Sequence, residues 1–164
     1  MKKILVSICL LGFLYLNLSC FCKGPRLSQT LVDSSNVIFE GTVAKVDMLD
    51  EEEYEVSITF KVLKQFKGDH VKTIVVKSTK SSCGFFFKDK DIAENIGRKF
   101  LMYCCNENGI YGYHYCSDRR LRFPLKKDYK NEFTSKSESL INYSKRKMEY
   151  KNELVALDSI IRKL

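Results

Sequence analysis

Strand-like alternation in the middle of this chain constrains its fold more than any other feature. Apolar and polar residues alternate strictly over residues 54–62, so a strand here buries one face and exposes the other. Residues 37–46 are rich in β-branched side chains and end at an acidic turn, residues 50–53. The pattern predicts strands over most of residues 36–124.

Three further strands are predicted at residues 71–76, 100–104 and 110–116. Residues 63–66 continue the second strand to a turn at Lys67-Gly68-Asp69, and residues 106–109 form a hairpin-like turn before the fifth. Residues 83–99 form a longer connection with a helical turn around 91–95. Five short strands favour a small closed barrel, because a flat sheet would leave exposed edges.

The composition changes after Pro124, where a charged connection, residues 126–131, leads to a predicted helix. Ser135-Lys136-Ser137-Glu138 is typical of a capping box at a helix start. Spacings of three and four define an apolar stripe with one lysine: Leu140, Tyr143, Lys147, Tyr150, Leu154, Leu157, Ile161 and Leu164, widened by Ile141, Met148 and Val155. We expect an amphipathic helix packed outside the barrel. The alternative is a short partner-binding or coiled-coil helix, although Lys147 on the seam argues against a long one.

The first residues have the layout of a signal peptide. Met1-Lys2-Lys3 is basic, residues 4–16 are apolar, and polar residues follow up to Cys20. The apolar run is too short to span a bilayer, and the alternative is a buried N-terminal helix. We expect residues 1–19 to be removed and the protein to be secreted or held in the periplasm or cell envelope. Leu16-Asn17-Leu18-Ser19-Cys20 also resembles a lipoprotein signal, so a lipid-anchored form with acylated Cys20 stays open.

Cysteine usage agrees with export. The sequence has seven cysteines, and Cys9 would leave with the signal. The even set that remains favours disulfides, although spacing alone does not choose their pairing: Cys20, Cys22, Cys83, Cys104, Cys105 and Cys116. Cys104 and Cys105 are adjacent on a strand and should point to opposite faces. They could form a vicinal bridge, pair with another chain or stay as thiols.

The chain is basic, with a formal charge of +8, and its C-terminal third contains a basic patch. The patch comprises Arg119, Arg120, Arg122, Lys126 and Lys127, beside several aromatic residues. Such a patch on a cytoplasmic barrel would suggest single-stranded nucleic acid. Because export argues against nucleic acid, we expect an acidic glycan, an acidic protein surface, or solvation alone.

The sequence contains no pattern typical of a catalytic centre. Its two histidines, His70 and His114, belong to no Ser/His/Asp or Cys/His arrangement. A metal site with His114 and Cys116 would match no established zinc-ligand spacing. We therefore predict a binding protein, not an enzyme, with no cofactor and no metal.

An ordered set of short motifs suggests a family. Cys20-Phe21-Cys22 comes first, and the other pieces follow in order: 34–43, 60–68, Cys83-Gly84, 97–103 and Tyr115-Cys116 beside an arginine cluster. This set resembles the netrin-like module, specifically the N-terminal domain of tissue inhibitors of metalloproteinases and its bacterial relatives. The resemblance covers residues 20–124 and leaves residues 125–164 as the charged connection and C-terminal helix.

The resemblance implies a five-stranded OB-type barrel with bridges Cys20–Cys83 and Cys22–Cys116. It also implies inhibition of a zinc metalloprotease. The free amine and carbonyl of Cys20 would chelate the catalytic zinc and displace its water, while Phe21 enters the specificity pocket. Cys20, Phe21 and Cys22 thus form the predicted inhibitory edge.

The sequence departs from that family in several places. Pro25 lies further from the Cys-x-Cys motif than in the animal inhibitors, no cysteine lies near Val32 for a third bridge, and their second domain is missing. Acylation of Cys20 would block the chelating amine and remove one bridge. The alternative is a non-inhibitory envelope or extracellular module, membrane-bound only if Cys20 is lipidated, that binds a protein or a polyanionic glycan.

Overall fold

The molecule is mainly β with a long C-terminal helix, as the sequence predicted. The computed structural model describes residues 26–50, 55–79, 95–107, 110–112, 120–125, 128 and 136–163. Within these ranges the elements are α1 (Gln29–Ser34), β1 (Val37–Asp50), β2 (Glu55–Lys67), β3 (Thr73–Thr79), β4 (Lys99–Glu107), β5 (Ile110–Gly112), β6 (Arg120–Arg122) and α2 (Lys136–Ile161).

Five strands close into a ring. β1, β2 and β3 form an antiparallel meander, and β4 returns to pair antiparallel with β1. β5 completes the ring, because it pairs antiparallel with β4 and parallel with β3. β6, which the sequence did not predict, pairs with β4 outside this circuit. The five strands thus form a closed ring, as expected, and a closed ring pairs the strand edges that a flat sheet would leave exposed.

The inside of the ring is an apolar core. The alternation in β2 directs Val56, Ile58 and Phe60 inward, while the residues between them are partly exposed. Phe60 meets the Phe39 and Phe100 rings edge to face, with centroid distances of 5.3 and 6.1 Å. The interior core comprises Val37, Phe39, Val43, Val56, Ile58, Phe60, Ile74, Val76, Phe100, Met102 and Cys104.

The first part of β1, residues 37–43, and residues 100–104 of β4 are largely buried on both faces, unlike β2. Their apolar runs do not alternate, so Ile38, Leu101 and Tyr103 lie on the outer face of the ring and still avoid water. The helices cover that face. This outer cluster comprises Leu31, Val32, Ile38, Leu101, Tyr103, Tyr150 and Leu157, with Leu121, Phe123 and Leu154 among the partly buried residues around it.

Bulges and a close backbone approach shape the long β1–β2 pair. Its register shifts at four places along the two strands, and bulges of this kind bend and twist a pair so that it can curve around a ring. Gly41 lies in the curved part, paired with both Val62 and Phe100. A Cβ at Gly41 would lie 3.0 Å from the Lys61 carbonyl oxygen, closer than a side chain normally approaches backbone.

Helix α2 packs on the outside of the ring through one narrow face. Tyr150 and Leu157, two turns apart, are fully buried, and Leu154, Ile160 and Ile161 pack beside them. The predicted widening of the stripe was wrong: Ile141, Met148 and Val155 are 66, 59 and 70% exposed. A single contact with the ring covers only part of the helix circumference, and these three residues lie outside it.

Candidate functional site

The structure describes only part of the predicted site residues. Cys20, Phe21, Cys22, Cys83 and Cys116 lie outside the described residues, as do Arg119, Lys126 and Lys127. The inhibitory edge and its two bridges therefore stay predictions. Arg120 and Arg122 of the basic patch are described, and both lie on β6.

Strand β6 presents these arginines beside the C-terminal helix. It pairs with β4 in the register Phe100–Arg122, Leu101–Leu121 and Met102–Arg120, and the Phe123 N–H donates to the Lys99 carbonyl at 2.8 Å. Leu121 and Phe123 pack against the outer cluster. The ring of Phe123 meets that of Tyr150 edge to face at 5.2 Å, which fixes the spacing between strand and helix.

An open cavity of about 360 Å³ lies between β6 and α2. We call it the arginine cleft. It is lined by Arg120, Leu121, Arg122, Pro124, Asp128, Arg146 and Glu149. Two distant parts of the chain thus bring three guanidinium groups to one cavity.

A buried ion pair holds Asp128, one of the residues that line the cleft. Arg98 donates two parallel hydrogen bonds to the Asp128 carboxylate, at 2.7 and 2.5 Å, and the two side chains are only 6 and 9% exposed. The Leu125 N–H donates to the same carboxylate at 3.0 Å. Burial by itself would raise the pKa of Asp128, but these hydrogen bonds and the charges of Arg98 and Arg122 hold the pKa below its ordinary value. Asp128 is therefore ionised and already neutralised by Arg98.

Sequence reasoning missed three of the five charged residues that line the cleft, Asp128, Arg146 and Glu149. Arg146 and Glu149 lie on α2 and are joined by an exposed ion pair at 3.2 Å. Their three-residue spacing in a predicted helix identifies the pair. No local signal places the pair next to β6, because that proximity arises only when α2 packs on the ring.

A second polar cluster lies behind the cleft, between the ring and α2. Glu40 accepts a hydrogen bond from the Tyr150 hydroxyl at 2.9 Å and pairs with Lys99 at 2.9 Å. The Lys99 ammonium also lies 4.5 Å from the centre of the Phe123 ring. Burial, followed by the charge of Glu40, raises the pKa of Tyr150 far above its usual range. Tyr150 therefore stays protonated and acts as a hydrogen-bond donor that holds the helix.

Cys104 and Cys105 occupy opposite faces of β4, as predicted. Cys104 belongs to the interior core, whereas Cys105 is half-buried, with its sulfur 3.8 Å from the Ser34 carbonyl oxygen. No disulfide joins these two cysteines, the only ones among the described residues. Of the options open for this pair, the vicinal bridge is therefore not formed.

The described ranges hold no group of three or more His, Cys, Asp or Glu side chains that could bind a metal ion. Neither α1 nor α2, the helices of those ranges, is long and apolar enough to cross a bilayer. Every buried side-chain nitrogen and oxygen among the same residues has a hydrogen-bond partner. A second cavity of about 390 Å³ is lined by Val155, Asp158, Ser159 and Arg162. The arginine cleft differs from it in bringing three guanidinium groups together.

No protein-family model matches the chain, and no curated protein matches its sequence significantly.

Proposed function

We propose that this chain is an exported, disulfide-linked binding module of the netrin-like, OB-barrel type that inhibits a zinc metalloprotease through Cys20, Phe21 and Cys22. The observation that carries the proposal is the order of strands in the ring. β4 lies beside β1 while β1, β2 and β3 are consecutive neighbours, which is a Greek-key arrangement. A five-stranded Greek-key barrel is the OB-type architecture of the family that the sequence motifs resemble.

The direction of two strands supports the predicted bridges. β3 and β5 run parallel, so they leave the ring at the same edge. Cys83 follows the end of β3, and Cys116 follows the end of β5. Bridges Cys20–Cys83 and Cys22–Cys116 would then attach the N-terminal edge near one edge of the barrel. Such attachment would reduce the entropy lost on binding a protease.

The anchoring of α1 supports a fixed N-terminal edge. Ser28 caps this helix, accepting a hydrogen bond from the Leu31 N–H at 3.2 Å, and Leu31 and Val32 are buried. Lys67 of β2 donates to the carbonyl oxygens of Val32 and Asp33 at 2.7 and 2.9 Å. The chain is therefore held against the ring a few residues after Cys22.

The first experiment is mass spectrometry of the N-terminal peptide from native protein. We expect an unmodified Cys20, whose free amine and carbonyl can chelate the target zinc. Non-reducing peptide mapping of the same sample should recover Cys22 linked to Cys116. A diacylglyceryl or N-acyl mass on Cys20 would contradict inhibition and favour a lipid-anchored, non-inhibitory module.

The second experiment is titration against a panel of zinc metalloproteases. We expect the mature protein to inhibit at least one of them, and a variant with one extra N-terminal alanine to lose that inhibition, because its amine is displaced from the metal. Phe21→Ala should weaken inhibition and change its selectivity while leaving the amine in place. Equal inhibition by the mature and extended proteins would rule out the chelate.

A further inference from the structure

We propose that the arginine cleft binds the carboxylate or sulfate groups of an acidic glycan, with Arg122 and Arg146 as the main contacts. The proposal goes beyond protease inhibition and rests on the proposed export only for access to such a polymer. It uses no residue of the inhibitory edge. Failure of one proposal can therefore be distinguished from failure of the other.

The charge of the cleft is suited to an anion. Three guanidinium groups and two carboxylates line the cleft, and Arg98, which pairs with Asp128, brings the formal charge of the group to +2. Asp128 already accepts three hydrogen bonds, two of them from Arg98, and its charge is compensated from the protein side. The electrostatic potential in the opening is therefore positive, and it comes from Arg120 and Arg122 on β6 and Arg146 on α2.

The Glu149 carboxylate competes with an incoming anion for Arg146. Its carboxylate pairs with Arg146 at 3.2 Å, and the side chains of Arg146 and Glu149 are 67 and 42% exposed. An exposed pair of this kind contributes little to stability, so an incoming anion can displace Glu149 at low cost. Removal of the Glu149 charge should therefore strengthen binding.

The shape and lining of the cleft favour a glycan over a protein. A volume of about 360 Å³ accommodates one or two acidic sugar residues, near the lower limit of ordinary ligand sites. Apart from Leu121 and Pro124, its lining is charged, and Pro124 is buried. Protein interfaces usually depend on an aromatic or aliphatic anchor in an apolar pocket, which this cleft does not offer. The planar guanidinium fork binds carboxylate and sulfate through two parallel hydrogen bonds.

The cleft requires little rearrangement before binding. The Phe123–Tyr150 contact sets the distance between strand and helix, and the Arg98–Asp128 pair holds the lining residue Asp128 in place. A site that is already formed loses little conformational entropy when the ligand arrives.

Direct binding of defined oligosaccharides to the full mature protein tests this proposal. A heparin octasaccharide supplies sulfate and carboxylate, an oligogalacturonate of equal length supplies carboxylate alone, and polyglutamate of matched charge represents an acidic protein. We expect Arg122→Gln and Arg146→Gln each to weaken binding of the preferred glycan roughly tenfold, the loss of one charge-assisted contact. Glu149→Gln should strengthen it roughly threefold.

The matched control is Arg162→Gln, at an exposed arginine that lies about 24 Å along the helix axis from Arg146 and lines the separate cavity with Val155, Asp158 and Ser159. It removes the same charge and should change affinity less than about twofold. A loss equal to that of the cleft variants would show only net-charge attraction and would overturn the proposal, as would tighter binding of polyglutamate than of both glycans. Glu149→Gln keeps the test decisive if an arginine variant fails to fold, because it should raise affinity while circular dichroism shows that the fold is retained.

Discussion

The interior of the ring and its helix-covered outer face are held together by different forces. The interior core is formed by apolar side chains and cysteine, and its aromatic rings meet edge to face. The outer cluster combines apolar packing with a polar network that links Glu40, Lys99 and Tyr150, and a further hydrogen bond joins Tyr103 to Glu153 at 3.1 Å. The ring is thus stabilised by non-directional burial. The helix is additionally fixed in one position by directional polar contacts, and that position creates the arginine cleft.

The largest loss of stability is expected from a substitution in the interior core. Phe60 is fully buried at the centre of the aromatic contacts. Phe60→Ala should lower the free energy of unfolding by about 4 kcal/mol, because a rigid ring cannot collapse around the cavity. Urea unfolding followed by circular dichroism measures this loss. Leu63→Ala on the same strand, where the side chain is 52% exposed, is the control and should change stability by less than about 0.5 kcal/mol.

A substitution in the buried Arg98–Asp128 ion pair tests whether charge contributes to stability outside the apolar interior. Asp128→Asn leaves Arg98 buried with reduced compensation and should lower stability at neutral pH by about 3 kcal/mol. The folded-state pKa of Asp128 lies below its ordinary value of 3.8, so its contribution is complete above that pH and is lost as the pH falls through the folded-state pKa.

The difference between wild type and Asp128→Asn should therefore shrink in acid, as thermal unfolding at neutral pH and near pH 3 would reveal. The loss caused by Phe60→Ala has no such titrating origin and should stay constant. Asp47→Asn is the matched control, because the Asp47 pair with Lys45 is exposed on both sides. An Asp128→Asn effect that grows as the pH falls would contradict this account.

Truncation in the outer cluster should have a smaller effect than truncation inside the ring. Leu157 is fully buried, but its neighbours Leu154, Ile160 and Ile161 are only partly buried, so their side chains can fill part of the space that it leaves. Leu157→Ala should lower the unfolding free energy by about 2 kcal/mol, at the lower end for a buried leucine. Val155→Ala, 70% exposed on the same helix, is the control. If Leu157→Ala proved as damaging as Phe60→Ala, the two regions would not differ in rigidity.

The smallest loss of stability is expected when a single hydrogen bond between α2 and the ring is removed. Tyr150→Phe keeps the ring packed against Phe123 but removes the hydroxyl that donates to Glu40. We expect a loss of about 1–2 kcal/mol, because the carboxylate keeps its Lys99 partner. A double-mutant cycle with Glu40→Gln measures the coupling. Strict additivity of the two single losses would show that this hydrogen bond does not stabilise the docked helix.

The sequence predicted most of the ring because its patterns are local. Strict alternation located β2, and the predicted turn at Lys67-Gly68-Asp69 coincides with the end of β2 and a positive φ of 92° at Gly68. The capping pattern placed the start of α2, which begins at Lys136. Short elements without such patterns, α1 and β6, were not predicted. β6 has only three residues, two of them arginines, and its strand conformation depends on pairing with β4.

The sequence by itself determined where most strands and the long helix lie, because side-chain periodicity and turn residues act over a few neighbouring positions. It also contained the continuous apolar runs of β1 and β4, which require burial on both faces. Only the tertiary structure decided which face of α2 meets the ring and that Arg146 joins Arg120 and Arg122. These contacts join residues far apart in the chain, and the geometry of packing, which no local pattern encodes, brings them together.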